Sequence, residues 1–206
     1  MAKSCCEEKS TELEALRERQ GSVLKWVLAI NAIMFFVEFG FGVFSRSSAL
    51  MADSLDMLGD AAVYGFSLYA LNRGSLWRAR AGLSKGLVMA VFGLFVLVET
   101  VSRLLAASVP LAEPMGIIGA VALIANVVCL ILLYRHRADD VNMRSTWLCS
   151  RNDIIANVGV LGASVLVSVT QSGIPDAVIG LSISFLFLKS ALTVVQEAKT
   201  EMRSIS

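Results

Sequence analysis

The sequence predicts an all-α integral membrane protein of six transmembrane helices, with both termini in the cytoplasm. Three observations carry this. Of the 206 residues, 56% are hydrophobic and only 17% charged, against roughly 45–50% and about 25% in an average soluble domain; mean hydropathy is +0.69. Six apolar runs follow one another, each near the about 20 residues that a spanning helix needs. The basic residues gather on alternate connections. This composition excludes a disordered chain, a nucleic-acid partner and an ordinary soluble enzyme. Six spans use about 120 residues, which leaves no room for a second globular domain. The formal net charge of +1 points to no partner.

Residues 1–21 are polar and read as a cytoplasmic N-terminal segment. Within it Thr11-Glu12-Leu13-Glu14 has the form of a capping box, which predicts a short helix starting there and running on toward the membrane. Residues 22–196 form the transmembrane domain, with apolar runs at 22–44, 49–72, 83–106, 115–134, 146–170 and 175–196. The breaks between them are Ser45-Arg46-Ser47, Asn72-Arg73-Gly74, Val109-Pro110 with Glu113-Pro114, Arg135 to Asp140, and Gln171-Ser172-Gly173. These are polar or Gly/Pro punctuation of the kind that ends helices. Spanning strands would show alternating segments of about ten residues, and the runs do not alternate. Residues 197–206 are a short cytoplasmic tail.

Orientation follows from the cations. The N-terminal segment and start of the first run, the second-to-third and fourth-to-fifth connections and the C-terminal tail together carry 14 of the 18 Lys and Arg. The opposite loops hold Arg46, and Arg103 near a helix end. The positive-inside rule then puts both termini in the cytoplasm, which an even number of spans requires. MAKSCCEEKS is too polar and acidic to open a signal peptide, and Cys5, Cys6, Cys129 and Cys149 do not have the spacing of a disulfide framework.

Four acids lie where acids are costly. Asp53, Asp56 and Asp60 fall in the second run and Asp153 in the fifth. Each costs about 2.5–3.5 kcal/mol at a helix centre. One of the set, Asp53 first, is readily satisfied by a neighbouring Ser or Asn; the whole set is not, and intramembrane ionisable residues are usually functional. Asp56 and Asp60 are four apart and share a helix face, as do Cys149 and Asp153, with Asn157 one turn further along. Two such pairs on facing helices bring four oxygen and sulfur donors toward one point. That donor set suits a tetrahedral divalent ion, Zn²⁺ being the usual occupant. The thiolate turns preference away from Mg²⁺ and Ca²⁺. Antiparallel alignment of the two helices predicts Asp56 level with Asp153 and Asp60 level with Cys149. Counting from Arg73 and Arg144 leaves a mismatch of about 12 Å, so the fifth helix is expected to start before the lipid and the second to overrun it.

These segments resemble a known family. VEFGFGVFSRSSALMADSLDMLGDA, within residues 31–71, and NMRSTWLCSRNDIIANVGV, at 142–160, are similar to the first, second and fifth helices of the cation diffusion facilitators. Glu99 and Arg103 look like that family's third helix, and Asn126 fits its fourth. The resemblance implies a cation-efflux transmembrane domain, usually homodimeric, that exports divalent transition metals, mostly Zn²⁺, from the cytoplasm in exchange for protons. It implies transport ligands at Asp56, Asp60, Cys149 and Asp153. With one His and no Ser/His or His-rich metal arrangement, no enzymatic activity is expected; no permanent cofactor is expected either, a homodimer without the C-terminal domain is expected to be held through transmembrane helices, and the expected location is a bacterial inner (plasma) membrane. The chain departs from the pattern in three ways. Cys149 stands where the family usually has His, and Asp56 where it often has His or Asp, so Cd²⁺, Co²⁺, Ni²⁺ and Fe²⁺ join Zn²⁺ as candidate cargo. The sequence ends at Ser206, shortly after the sixth run, so the family's cytoplasmic C-terminal domain is expected to be missing. The fourth-to-fifth loop holds His136 alone, read as a solvated basic-loop residue.

Metal binds only deprotonated carboxylate and thiolate, so binding releases protons and gives a physical basis for exchange. Around the four ligands, Asp53 is placed to widen the entry path or relay protons. Asn31 and Asn157 are read as interhelical hydrogen-bonding residues or as groups that orient the carboxylates, and Glu38 as lining the cavity or snorkelling outward. Cys5 and Cys6, beside Glu7 and Glu8, are a candidate metal-capture pair at the cytoplasmic mouth. Two other functions compete: a membrane metal sensor or accessory subunit that binds without transport, and a proton-coupled exporter of organic cations. The latter favours an aromatic-lined cavity, and aromatics are only 8% here.

Overall fold

The computed structural model of the chain describes the backbone of residues 5–70, 75–135 and 141–205. Side chains are described within 22–62, 80–135 and 151–203, apart from 24, 81, 82, 85, 152, 197 and 201. The described residues form six helices and no strand: α1 (Cys5–Phe44), α2 (Ser48–Ala70), α3 (Ser75–Leu105), α4 (Ala112–Tyr134), α5 (Val141–Thr170) and α6 (Ile174–Ile205). Thr11 is no N-cap. The helix expected to start there begins at Cys5 and is continuous with the first apolar run. Likewise α5 starts at Val141, before the apolar run that begins at 146.

Among the described residues, five helices carry a stretch long and apolar enough to cross a bilayer: Lys25–Phe44, Gly86–Leu105, Ala112–Tyr134, Asp153–Thr170 and Ile174–Thr200. The sixth, α2, has the length, but any 18-residue window of it contains Asp53, Asp56 and Asp60. Its position explains how it tolerates them. It packs against α1, α3, α5 and α6, and every residue from Ser47 to Leu55 is buried. The surrounding helices turn large apolar side chains outward at helical spacing: Val91, Leu94 and Val98 on α3, and Ile117, Val121, Ile124, Val128 and Ile131 on α4. An exposed apolar belt around a core holding polar groups is what a lipid solvent selects.

The α1–α2, α3–α4 and α5–α6 turns lie at one end of the bundle, the end that the charge rule predicts to face outward. Each contains a residue in the left-handed region: Arg46 (φ 56), Ala107 (φ 50) and Gln171 (φ 51). After α1, the Ser47 N–H donates to Gly42 O (2.9 Å) and the Arg46 N–H to Val43 O (3.3 Å). After α3, Ser108 and Ala107 repeat that pattern on Arg103 and Leu104. Both are Schellman endings, which satisfy carbonyls that the helix leaves free. The Leu111 N–H donates to Ser45 O at 2.8 Å, tying two of the turns together.

Two glycines permit the close approach at this end. A Cβ on Gly42 would stand 2.9 Å from the Met51 backbone nitrogen, and one on Gly180 2.9 Å from the Ser48 carbonyl carbon. Gly40 is different: nothing lies within 4 Å of where its Cβ would be.

Candidate metal centre

The start of α2 sets the level of its acids. Ser47 occupies the N-cap, and its Oγ accepts from the Leu50 N–H at 3.0 Å. The next two amides are satisfied from another helix. Asp176, in the first turn of α6, accepts from the Ser48 N–H (2.7 Å), the Ala49 N–H (3.1 Å) and the Ser47 hydroxyl (2.6 Å). A carboxylate is well placed there, because a helix N-terminus presents free N–H groups and positive dipole charge. Asp176 is buried, and sequence reasoning did not single it out.

From this anchor α2 carries Asp53, Asp56 and Asp60 down into the bundle. Asp53 is 1% exposed, and its Oδ2 accepts from Asn157 Nδ2 of α5 at 2.7 Å. Asn157 Oδ1 in turn accepts from Asn126 Nδ2 of α4 at 3.3 Å. This chain of amides holds α2, α4 and α5 in register. Replacing Asn157 by Ala leaves Asp53 Oδ2 and Asn126 Nδ2 without these partners in a buried setting. The expected cost is about 2–3 kcal/mol of stability, checked by thermal unfolding in detergent. An unchanged midpoint would mean that water substitutes for the amide.

One turn inward of Asn157, Asp153 is buried and forms a side-chain hydrogen bond with Asp60. Asp60, Asp56 and Asp53 are its main electrostatic neighbours, in that order. The vertical pairing therefore differs by one helical turn from the antiparallel alignment expected: Asp60, not Asp56, meets Asp153. Cys149 lies on α5 one turn before Asp153, with its side chain outside the described residues. So do the side chains of Cys5 and Cys6, in the first turn of α1, and His136. Among the described residues, no three His, Cys, Asp or Glu side chains are close enough together to hold a metal ion. What the structure brings together is one carboxyl pair with further acids around it.

Glu38, on α1, is fully buried rather than snorkelling. Asp53, Asp56 and Asp153 are its acidic neighbours. Asn31 donates through Nδ2 to Val27 O at 2.9 Å in its own helix and contacts Cys129 Sγ of α4 at 3.9 Å. Cys129 is a free, buried thiol within electrostatic range of Asp60 and Asp153; its place in an apolar run gave no sign of that neighbourhood. Glu99 and Arg103 form an ion pair along α3 at 2.8 Å, and Arg103 Nη1 reaches Gly42 O at 3.4 Å, so this pair braces the α1 terminus rather than joining the acids.

An acid-rich seam inside an apolar six-helix bundle narrows the function to moving or sensing cations. The sequence matches the cation efflux transmembrane domain over residues 24–76 and 77–202. The chain belongs to the cation efflux family. Among relatives of this cation efflux chain, zinc transporter ZitB of Yersinia pestis is 26% identical over 187 residues, covering 84% of this chain and 60% of ZitB. Metal cation efflux system protein CzcD of Cupriavidus metallidurans is 25% identical over 195 residues, 84% of this chain and 61% of CzcD. Vacuolar zinc transporter ZRC1 of Saccharomyces cerevisiae is 30% identical over 141 residues, 58% of this chain and 30% of ZRC1. The cation efflux chain thus spans about 60% of the length of ZitB and CzcD. It is a multi-pass membrane protein of a metal-transporting family.

Proposed function

We propose that the chain exports divalent transition-metal cations from the cytoplasm, Zn²⁺ first, by proton-coupled alternating access, with Asp56, Asp60, Cys149 and Asp153 as the transport ligands. The observation that carries the reading is the Asp60–Asp153 contact. Two carboxyl groups from different helices meet inside a bundle whose outer surface is apolar, and among the described residues the charges acting on Asp153 are those of Asp60, Asp56 and Asp53. Such a pair must share a proton or a cation. One group of carboxyls that accepts either, but not both together, is the minimum equipment of an exchanger. A bound cation would draw Asp56, and Cys149 from the preceding turn of α5, toward the pair. The names of ZitB, CzcD and ZRC1 favour metal, and zinc in particular. The basic connections favour cytoplasmic termini, and the bacterial relatives favour the plasma membrane. The tied turns at the other end fit a protein closed to the outside.

The test is uptake of Zn²⁺, Cd²⁺, Co²⁺, Ni²⁺ and Fe²⁺ into proteoliposomes under an imposed pH gradient. Gradient-dependent uptake of at least one metal is expected. Binding without uptake would make the protein a sensor or accessory subunit, and uptake of organic cations instead would overturn the metal reading. The sign of the pH effect follows from the ligands. Metal displaces protons, so affinity falls as pH falls, by about tenfold per unit for each proton displaced. Zn²⁺ affinity that stays flat between mildly acidic and neutral pH would rule out mutually exclusive binding.

A further inference from the structure

The contact between Asp60 and Asp153 accounts for one pair of acids and leaves another unexplained. Glu38 lies on the apolar stretch of α1 with no exposure, and neither carboxylate oxygen has a hydrogen-bond partner. Its first electrostatic neighbour is Asp53. The Asp53 Oδ1 is likewise buried without a partner, while Oδ2 is held by Asn157. Three carboxylate oxygens, contributed by α1 and α2, are thus left unsatisfied in one buried region. Buried polar groups are almost always paired, and each exception needs a reason. No hydrogen bond joins Glu38 to Asp53.

We propose that Glu38 and Asp53 form a second divalent-cation station, outward of Asp60 and Asp153. Their level follows from the helices. Glu38 precedes the end of α1 by six residues and Asp53 follows the start of α2 by five, so both lie within about 10 Å of the tight turn joining those helices. Asp60 is seven residues beyond Asp53, about 10 Å further in. Asn157 orients one Asp53 oxygen and leaves the other for the ion. The donor set is all oxygen, where the inner one includes a thiol. Carboxylate oxygens suit hard ions such as Mn²⁺ and hold borderline ions less tightly than thiolate does. The station is therefore the weaker of the two for Zn²⁺, and a weak second site lets an ion leave. Its purpose rests on the transport reading; its existence does not.

The test counts Mn²⁺ bound to the full chain in lipid nanodiscs by electron paramagnetic resonance, with Mn²⁺ as the only divalent ion. Wild type is expected to bind two ions of different affinity. Glu38→Gln and Asp53→Asn should each lose one and keep the other, and the retained ion reports that the variant is folded. Asp60→Asn should lose the other ion and keep the Glu38–Asp53 one. Glu38→Gln and Asp53→Asn that both bind like wild type overturn the proposal, as does a wild type with one ion that Glu38→Gln and Asp60→Asn both abolish. If Asp60→Asn binds like wild type while Glu38→Gln loses an ion, the outer station stands and the transport-ligand reading fails.

Discussion

Asp60→Asn and Asp153→Asn are each expected to weaken Zn²⁺ binding by at least about a hundredfold, and the double variant to bind little worse than either. The two carboxyls are in contact across α2 and α5, so they act on a cation as a unit, and effects within such a unit do not add. The size follows from charge. Removing one member of a buried, compensated charge group costs about 3–5 kcal/mol, which is a hundredfold or more in a binding constant. The metal-free protein should respond in the opposite direction. An amide beside a carboxyl forms a hydrogen bond without needing a proton and relieves repulsion, so the unliganded variants should unfold no earlier than wild type. What they should lose is the rise in unfolding temperature that saturating Zn²⁺ gives, because a ligand stabilises only the state that binds it. Thermal unfolding with and without Zn²⁺ separates the two effects. Variants whose Zn²⁺-dependent shift matches wild type would remove Asp60 and Asp153 from the ligand set.

The helices were legible because lipid imposes a simple rule. With no water to satisfy the backbone, each span must be a helix, and its side chains must be mostly apolar. The outer ends fall within a few residues of the expected breaks, since Ser45-Arg46-Ser47 and Gln171-Ser172-Gly173 are polar turns. The inner ends were less legible. Polar residues at the start of α1 and α5 continue the helix beyond the apolar run, and a hydropathy argument reads polarity as an end. Asp56, Asp60 and Asp153 were visible as site candidates because an acid in such a run has no bland explanation. Asp53 was the one acid for which a hydrogen-bonding neighbour was foreseen, and Asn157 fills that place.

What sequence spacing could not supply is relative depth. Counting residues from the basic loops treats each helix as an independent rod that enters the lipid at its first apolar residue. α2 is tied instead to α6 by three hydrogen bonds at its first turn, and Asp60 rather than Asp56 meets Asp153. Depth also decides what Glu38 does: near the end of an apolar run it is free to snorkel, but α1 packs that face against α2 and closes the route to water. Cys129 was hidden for a related reason. A thiol in an apolar run is ordinary, and only the packing of α4 against α5 brings it near Asp153.

Asp176→Ala is expected to be the most damaging single change outside the acid seam. The carboxylate accepts from two backbone amides and a hydroxyl, all in buried residues, and no water-filled surface replaces it. A lost N-cap alone costs about 0.5–2 kcal/mol, and the favourable charge at a partly buried helix N-terminus adds up to about 2 kcal/mol. A loss of about 3 kcal/mol follows, read as a lower unfolding temperature in detergent. Asp176→Asn should lose less, since its carbonyl oxygen still accepts one amide while the charge is gone. Ser47→Ala should be milder again, because it removes the hydroxyl's bonds to Asp176 and to the Leu50 N–H but leaves both Asp176–amide bonds. That order, with Asp176→Ala worst and Ser47→Ala least, separates an anchor for α2 from a generic buried acid. A buried acid that merely repelled its surroundings would give a more stable protein when neutralised, and Asp176→Asn unfolding later than wild type would show that.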